Sequence, residues 1–202
     1  MSIYALRLDN GERVILLRRS QRLAGICAPL IGLGGIFVAI IINRSWWSIT
    51  DNAISDLGRV SLPYNWIMNI SLIIAALLGI YYATALFEET NNIGKLGIGI
   101  FIMGLVFLAL IGIFPEGTGP HYHVSVGFFV SCSVGMLIAG IGFYIEGDKS
   151  FGSFTTLLFI IGWLLAFLAM RRFRGVAIPE LIISAAVAIW VYVLIFKRRR
   201  RN

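Results

Sequence analysis

"AGICAPLIGLGGIFVAIIIN", residues 24–43, runs for twenty positions without an Asp, Glu, Lys, Arg or His. A helix rises 1.5 Å per residue, so this run reaches about 30 Å, the thickness of a bilayer's hydrocarbon core. Five further stretches are comparably apolar: 64–87, 96–114, 124–145, 154–170 and 177–196. The chain therefore reads as all-α, a polytopic six-transmembrane-helix bundle. Composition agrees, with 58% hydrophobic residues and a mean hydropathy of +0.87, well beyond soluble proteins. Connections are short, so no separate soluble domain is expected. The layout is an N-terminal segment at 1–22, a membrane domain at 23–197 and a basic tail at 198–202.

A net charge of +7 would suggest nucleic acid in a soluble chain. Here the basic residues sort by membrane side. With both termini on one face, that face carries twelve Lys and Arg and the other carries five. The dissenters are chiefly Arg171, Arg172 and Arg174. The positive-inside rule puts both termini in the cytoplasm of a cell (plasma) membrane protein, and no nucleic-acid partner is needed. The first apolar run is long and lacks a small-x-small cleavage site before Trp46, so a signal peptide is not expected. Cys27 and Cys132 fall inside spans as packing residues, without a disulfide framework. Asn10-Gly11 between alternating segments is a hairpin signal, so residues 1–22 read either as a small β-ribbon or as a basic tail held at anionic headgroups.

Within the spans, Gly32, Gly34, Gly35, Gly97, Gly99, Gly104, Gly135, Gly140 and Gly142 are read as positions where helix backbones approach closely. No Asp, Glu, Lys, Arg or His lies near the middle of any span. Ion-coupled carriers keep such groups there despite their cost, so that class is disfavoured.

Polar residues concentrate in the loops opposite the termini. The first is "NRSWWSITDNAISDLGRVSLP", residues 43–63. Ser48 and Asp51 have capping-box spacing, and Gly58 stands where a left-handed residue would close a helix. A short interfacial helix over about 49–57 is predicted. Ile49, Ala53, Ile54 and Leu57 would line one side, Asp51, Ser55 and Arg59 another, and Trp46 and Trp47 would anchor it at headgroup level. Asp56, close to the apolar stripe, needs a partner, and Arg59 or His121 could supply one. The third loop, "FPEGTGPHYHV" (114–124), brings Glu116, His121 and His123. His-x-His is a weak metal signal even with Glu116, Asp51, Asp56 or Glu180 nearby, so no metal and no cofactor are expected. Glu180 follows Pro179 at the start of span six, where the helix dipole favours it. Asn65 and Asn69 share a face of span two. Asn69, about 9 Å deep, must find a neighbouring helix or a ligand, beneath the polar loop.

"NAISDLGR" (52–59), then Pro63, "FPEG" (114–117) and "HYHVSVGFF" (121–129) together resemble the prokaryotic membrane proteins grouped as domain of unknown function 998, over nearly the whole chain. Ile54, Ser55, Asp56, Gly58, Pro63 and His121 or His123 more distantly resemble the Frag/DRAM/Sfk superfamily. Leu57 departs from that pattern, which has a small hydroxyl residue there. The resemblance implies six spans and a lipid-related role.

Three function classes follow. The first is lipid handling at the extracytoplasmic leaflet, with membrane lipids as partners. Asp51, Asn69, Glu116, Glu180 and Arg59 would then border the ligand. In an enzymatic version His121 or His123 is the base, Asp56 orients it, and Ser55 or a water is the nucleophile. The second is a non-catalytic subunit or scaffold, as a homo-oligomer or in a larger membrane complex, whose Asp/His/Glu cluster is structural. The third, a passive facilitator of a polar solute, needs a polar path that the sequence does not extend below Asn69.

Overall fold

In lipid every backbone N–H and C=O must find its partner within the chain, so an apolar run of span length has one open-ended solution, a helix. A computed structural model describes residues 19–199 and, ahead of them, 6–7 and 13–14. It contains α1 (Arg19–Asn43), α2 (Asn65–Glu88), α3 (Asn92–Ile113), α4 (His121–Ile145), α5 (Lys149–Arg172) and α6 (Ala177–Arg199). All six are long and apolar enough to cross a membrane. The chain is a six-helix membrane bundle. In the N-terminal segment β1 (Leu6–Arg7) pairs antiparallel with β2 (Arg13–Val14), with Leu6 opposite Val14. The Asn10-Gly11 turn expected between them lies outside the described residues, as do Arg200 and Arg201 of the basic tail.

α3 and α5 start earlier than hydropathy alone predicts, because capped turns continue past the apolar core. The Asn91 side chain accepts from Gly94 N at the start of α3, and Asp148 accepts from Phe151 N at the start of α5. Each cap satisfies an orphan N–H where lipid gives way to water.

Sequence neighbours pack side by side, and α6 returns to touch α1. The tightest seam joins α3 to α4. A Cβ on Gly97 would collide with Ala139 N and lie 2.8 Å from Gly135 O, and one on Gly135 would strike the Phe101 backbone. Gly104 abuts Cys132, and Gly140 meets Thr155. These glycines bring backbones together, as small residues do where packing holds helices in lipid. Gly34 and Gly99 have no such role: nothing lies within 4 Å of a Cβ at Gly34, and only the edge of Phe87, at 3.8 Å, at Gly99.

Trp190 of α6, fully buried, packs against Phe101 and Phe151, with ring centroids at 5.2 and 6.2 Å. Its Nε1–H donates to Thr155 Oγ1 (3.0 Å), and Thr155 donates to Phe151 O (2.9 Å). That relay satisfies the indole where no water is available. At the termini face, Lys197 pairs with Asp148, and Glu146 accepts from Asn91 N and from Thr90 Oγ1.

Candidate functional site

The loop between α1 and α2 corrects the predicted interfacial helix. Residues 44–54 form turns and bends, and only Ser55–Gly58 is helical, as one 3-10 turn. Side chains take the backbone groups that an α-helix would need. Asn52 Oδ1 accepts from Ser48 N (2.9 Å), Asp56 Oδ2 accepts from Ala53 N (2.9 Å), and Trp47 Nε1–H donates to Ala53 O (2.8 Å). Trp47 is consequently buried and is no headgroup anchor, whereas Trp46 is exposed. The expected apolar stripe is broken, since Ile49 is exposed while Ile54 and Leu57 are buried. Gly58 is not left-handed; among the described residues Gly117 and Gly147 have positive φ. Gly58 is required for another reason. A Cβ there would run into the Asn69 amide, which donates to Gly58 O at 2.9 Å.

Each acidic residue of the region has a distinct partner. Asp51 is exposed and accepts from the Thr50 (2.7 Å) and Ser48 (2.9 Å) hydroxyls, which hold its carboxyl below the usual range. Asp56 accepts from Ala53 N, Asn52 Nδ2 (3.2 Å) and Arg59 Nη2 (2.7 Å). Of its two expected partners it takes Arg59, three residues away, and no described hydrogen bond joins it to a histidine. Glu116 lies 3.2 Å from His121 Nε2.

His121 is buried at the first turn of α4. Its Nδ1 lies 2.9 Å from Phe114 O, and a carbonyl can only accept, so Nδ1 carries the proton. Nε2 then faces Ser125 Oγ at 3.3 Å as well as Glu116. His123 is two residues on, about 200° round the helix. It is exposed, edge-on to Tyr122 at 5.6 Å, and does not join this group. Among the described residues no set of three or more His, Cys, Asp or Glu is arranged to hold a metal ion.

Loop one ties the other two loops of its face together. Val60 N donates to Glu116 O (3.0 Å), Gly175 N to Thr50 O (2.8 Å) and Ala177 N to Asn52 O (3.0 Å). Ile54 N donates to Glu180 Oε2 at 2.6 Å. Glu180 thus does more than meet its own helix dipole: it fastens loop one to α6. Asn65 donates to Arg59 O (3.0 Å), so both span-two amides serve the 58–59 backbone.

Beneath this lid lies a partly open cavity of about 120 Å³, lined by α1, α2, α3, α4 and α6. Its walls run from Ile54, Ser55 and Glu180 at the loop end to Gly25, Tyr82 and Val191. Glu180 to Val191 and Gly25 to Ile36 each span eleven residues, about 16 Å of helix, close to the ~15 Å depth of one leaflet. Spread evenly over that length, the space open to the centre of a water molecule is about 3 Å across, or about 6 Å between wall surfaces once water's ~1.4 Å radius is added on each side. Methylene groups pack about 4 Å apart, so one hydrocarbon chain fits and two abreast do not. The walls are Leu, Ile, Val, Met, Ala, Gly, Pro and Phe, with Tyr82 toward the termini end and Ser55, Ser125, Ser184 and Glu180 toward the mouth.

Of the sequence-predicted site residues, only Ser55 and Glu180 line this cavity. Asp51, Asp56, Arg59, Asn69, Glu116, His121 and His123 stand outside its wall. Asn69 points inward as expected, but its amide is spent on Gly58. Ser125 and Ser184 were not singled out from the sequence. For Ser125 there was a signal, its i,i+4 spacing from His121 at the start of a helix; for Ser184 there was none.

A family model described as protein of unknown function (DUF998) matches residues 26–197, which is all but the chain's two ends. No curated protein and no solved structure matches the chain.

Proposed function

The chain belongs to the DUF998 family, and from its cavity we propose that it handles lipid. It takes one hydrocarbon chain of a membrane lipid into the slot and keeps the lipid's head at the polar mouth. The observation that carries this reading is the match of a one-leaflet depth and a one-chain width to an almost wholly apolar wall with polar groups at one end. With both termini in the cytoplasm, as the basic residues favour, the mouth faces the extracytoplasmic leaflet of the cell membrane.

Ser184→Phe tests it, since Ser184 lines the slot without a described hydrogen bond of its own. Gently purified wild type should retain a lipid in native mass spectrometry, and the variant about tenfold less. Equal retention in two proteins of equal thermal midpoint, or no lipid in wild type, would sink the reading.

A specific contact favours a second, enzymatic reading, with different residues from those the sequence suggested. Ser125 Oγ faces both the cavity and His121 Nε2. Ser125 would attack a lipid ester carbonyl while its proton passes to Nε2. Nε2 would give that proton to the alcohol that leaves as the ester C–O bond breaks, and a water deprotonated by Nε2 would then split the acyl-serine into free acid and Ser125. The Phe114 carbonyl holds Nδ1–H, and Glu116 stands ready to pair the imidazolium. Asp56, committed to its own loop, takes no part. Ser125→Ala should then lower hydrolysis of a labelled ester lipid at least a hundredfold with lipid retention unchanged. Wild-type turnover in that variant would remove the enzymatic reading and leave the binding one.

A further inference from the structure

The mouth of the slot has a chemical sign. Glu180 is the one carboxylate on the cavity wall, and among the described residues no ion pair reaches it. Oε2 takes Ile54 N–H, while Oε1 has no described donor. Arg174, an exposed cation of the 173–176 loop, acts on Asp51; Arg59 is engaged with Asp56, and Glu116 lies beside His121. Asp56 and Glu116 lie within electrostatic range of Glu180. An anionic head entering here would meet these carboxylates and a cavity wall that carries no basic side chain, and such juxtaposition disfavours it. A head that donates hydrogen bonds would fill the vacant acceptor positions of Glu180 and be flanked by the hydroxyls of Ser55, Ser125 and Ser184.

The route in is equally readable. α1 and α6 touch near the termini face, where Tyr192 Oη–H donates to Ile26 O (3.1 Å) and Gly25 abuts Ile195. Toward the mouth both turn partly exposed residues to the cavity, Pro29 and Leu33 from α1, Ser184 and Val187 from α6. The α4–α6 seam is covered by α5, which packs on both helices, whereas among the described residues no helix packs in this way on both α1 and α6.

We infer that the slot's ligand is a long-chain amphiphile with a hydrogen-bond-donating, non-phosphate head, an amine or a hydroxyl. It enters sideways from the bilayer between α1 and α6 and sets its head against Glu180. This rests on the lipid-handling reading and names the ligand class for that same site.

The test uses the full chain in detergent with four probes of one chain length: hexadecylamine, hexadecanol, palmitate and hexadecyl phosphate. Native mass spectrometry and thermal unfolding report binding. The amine and the alcohol should bind at least about tenfold more tightly than the two anions. Glu180→Gln keeps an amide oxygen for Ile54 N–H, so the loop stays fastened. That variant should lose the amine's advantage over the phosphate by about tenfold while hexadecanol is held nearly as before. Equal binding of all four probes, or preference for an anion, overturns the head inference while the slot stands. Failure of all four to bind, with Ser184→Phe also without effect on retained lipid, overturns the slot itself. The wild-type probe series decides the matter even if the variant folds poorly.

Discussion

Gly135→Leu is expected to leave little folded protein. At Gly135 the obstruction is the Phe101 backbone and the Gly97 carbonyl, 2.7 Å from an added Cβ, on a helix that cannot retreat without losing its own seam. Backbone offers no rotamer by which to yield, so the cost lies at or above the usual overpacking limit of about 3 kcal/mol. The expected readout is aggregation or loss of the main peak on size exclusion in mild detergent, with a thermal midpoint lowered by many degrees in whatever remains. Gly34→Leu, where nothing lies within 4 Å, is the matched control and should stay within about 0.5 kcal/mol of wild type. If Gly135→Leu unfolds at the wild-type temperature, the α3–α4 seam is not as close as described.

Glu180→Ala is expected to release loop one from α6. The side chain accepts one hydrogen bond from Ile54, 126 residues away in sequence, and Ile54 is itself buried. Alanine removes that acceptor and strands an N–H, a loss of about 1–3 kcal/mol for a buried donor left unpaired. The loop has other fastenings, through Gly175, Ala177 and Glu116, so the bundle should survive while the segment around 53–58 loosens. Hydrogen exchange should show amides there losing protection about tenfold or more, with helix interiors unchanged. Glu180→Gln should recover most of it. Unchanged exchange in the alanine variant would mean that Glu180 does not fasten the loop, and the mouth would have to be described differently.

How much of the site could be read in advance depends on the range of the interactions involved. Asp51 with Ser48 was legible because three residues separate them. Asp56 with Arg59 was legible as one of two options for the same reason. The failed helix over 49–57 is more instructive. Its capping box does not form: Ser48 and Asp51 meet side chain to side chain, Ser48 N goes to Asn52, and Asp56 and Trp47 likewise claim backbone groups that the helix would have needed. Propensity lost to local polar competition, and Gly58 mistaken for a helix stop is a glycine because Asn69 lies against it.

The number of membrane spans, the clustering of polar residues at one end and the absence of Asp, Glu, Lys, Arg and His at mid-depth were determined by the sequence alone. Each is a property of a contiguous run, and lipid leaves such a run no structure except a helix. Which face of each helix meets which was decided only by the tertiary structure. That selected Glu180 over Asp56 for the mouth, paired His121 with Glu116 and Ser125, set His123 aside, and opened a chain-sized slot between helices whose apolar residues carry no directional signal. Dispersion and apolar burial reward contact without naming a partner, so phase and register between distant helices emerge from the packing of the whole.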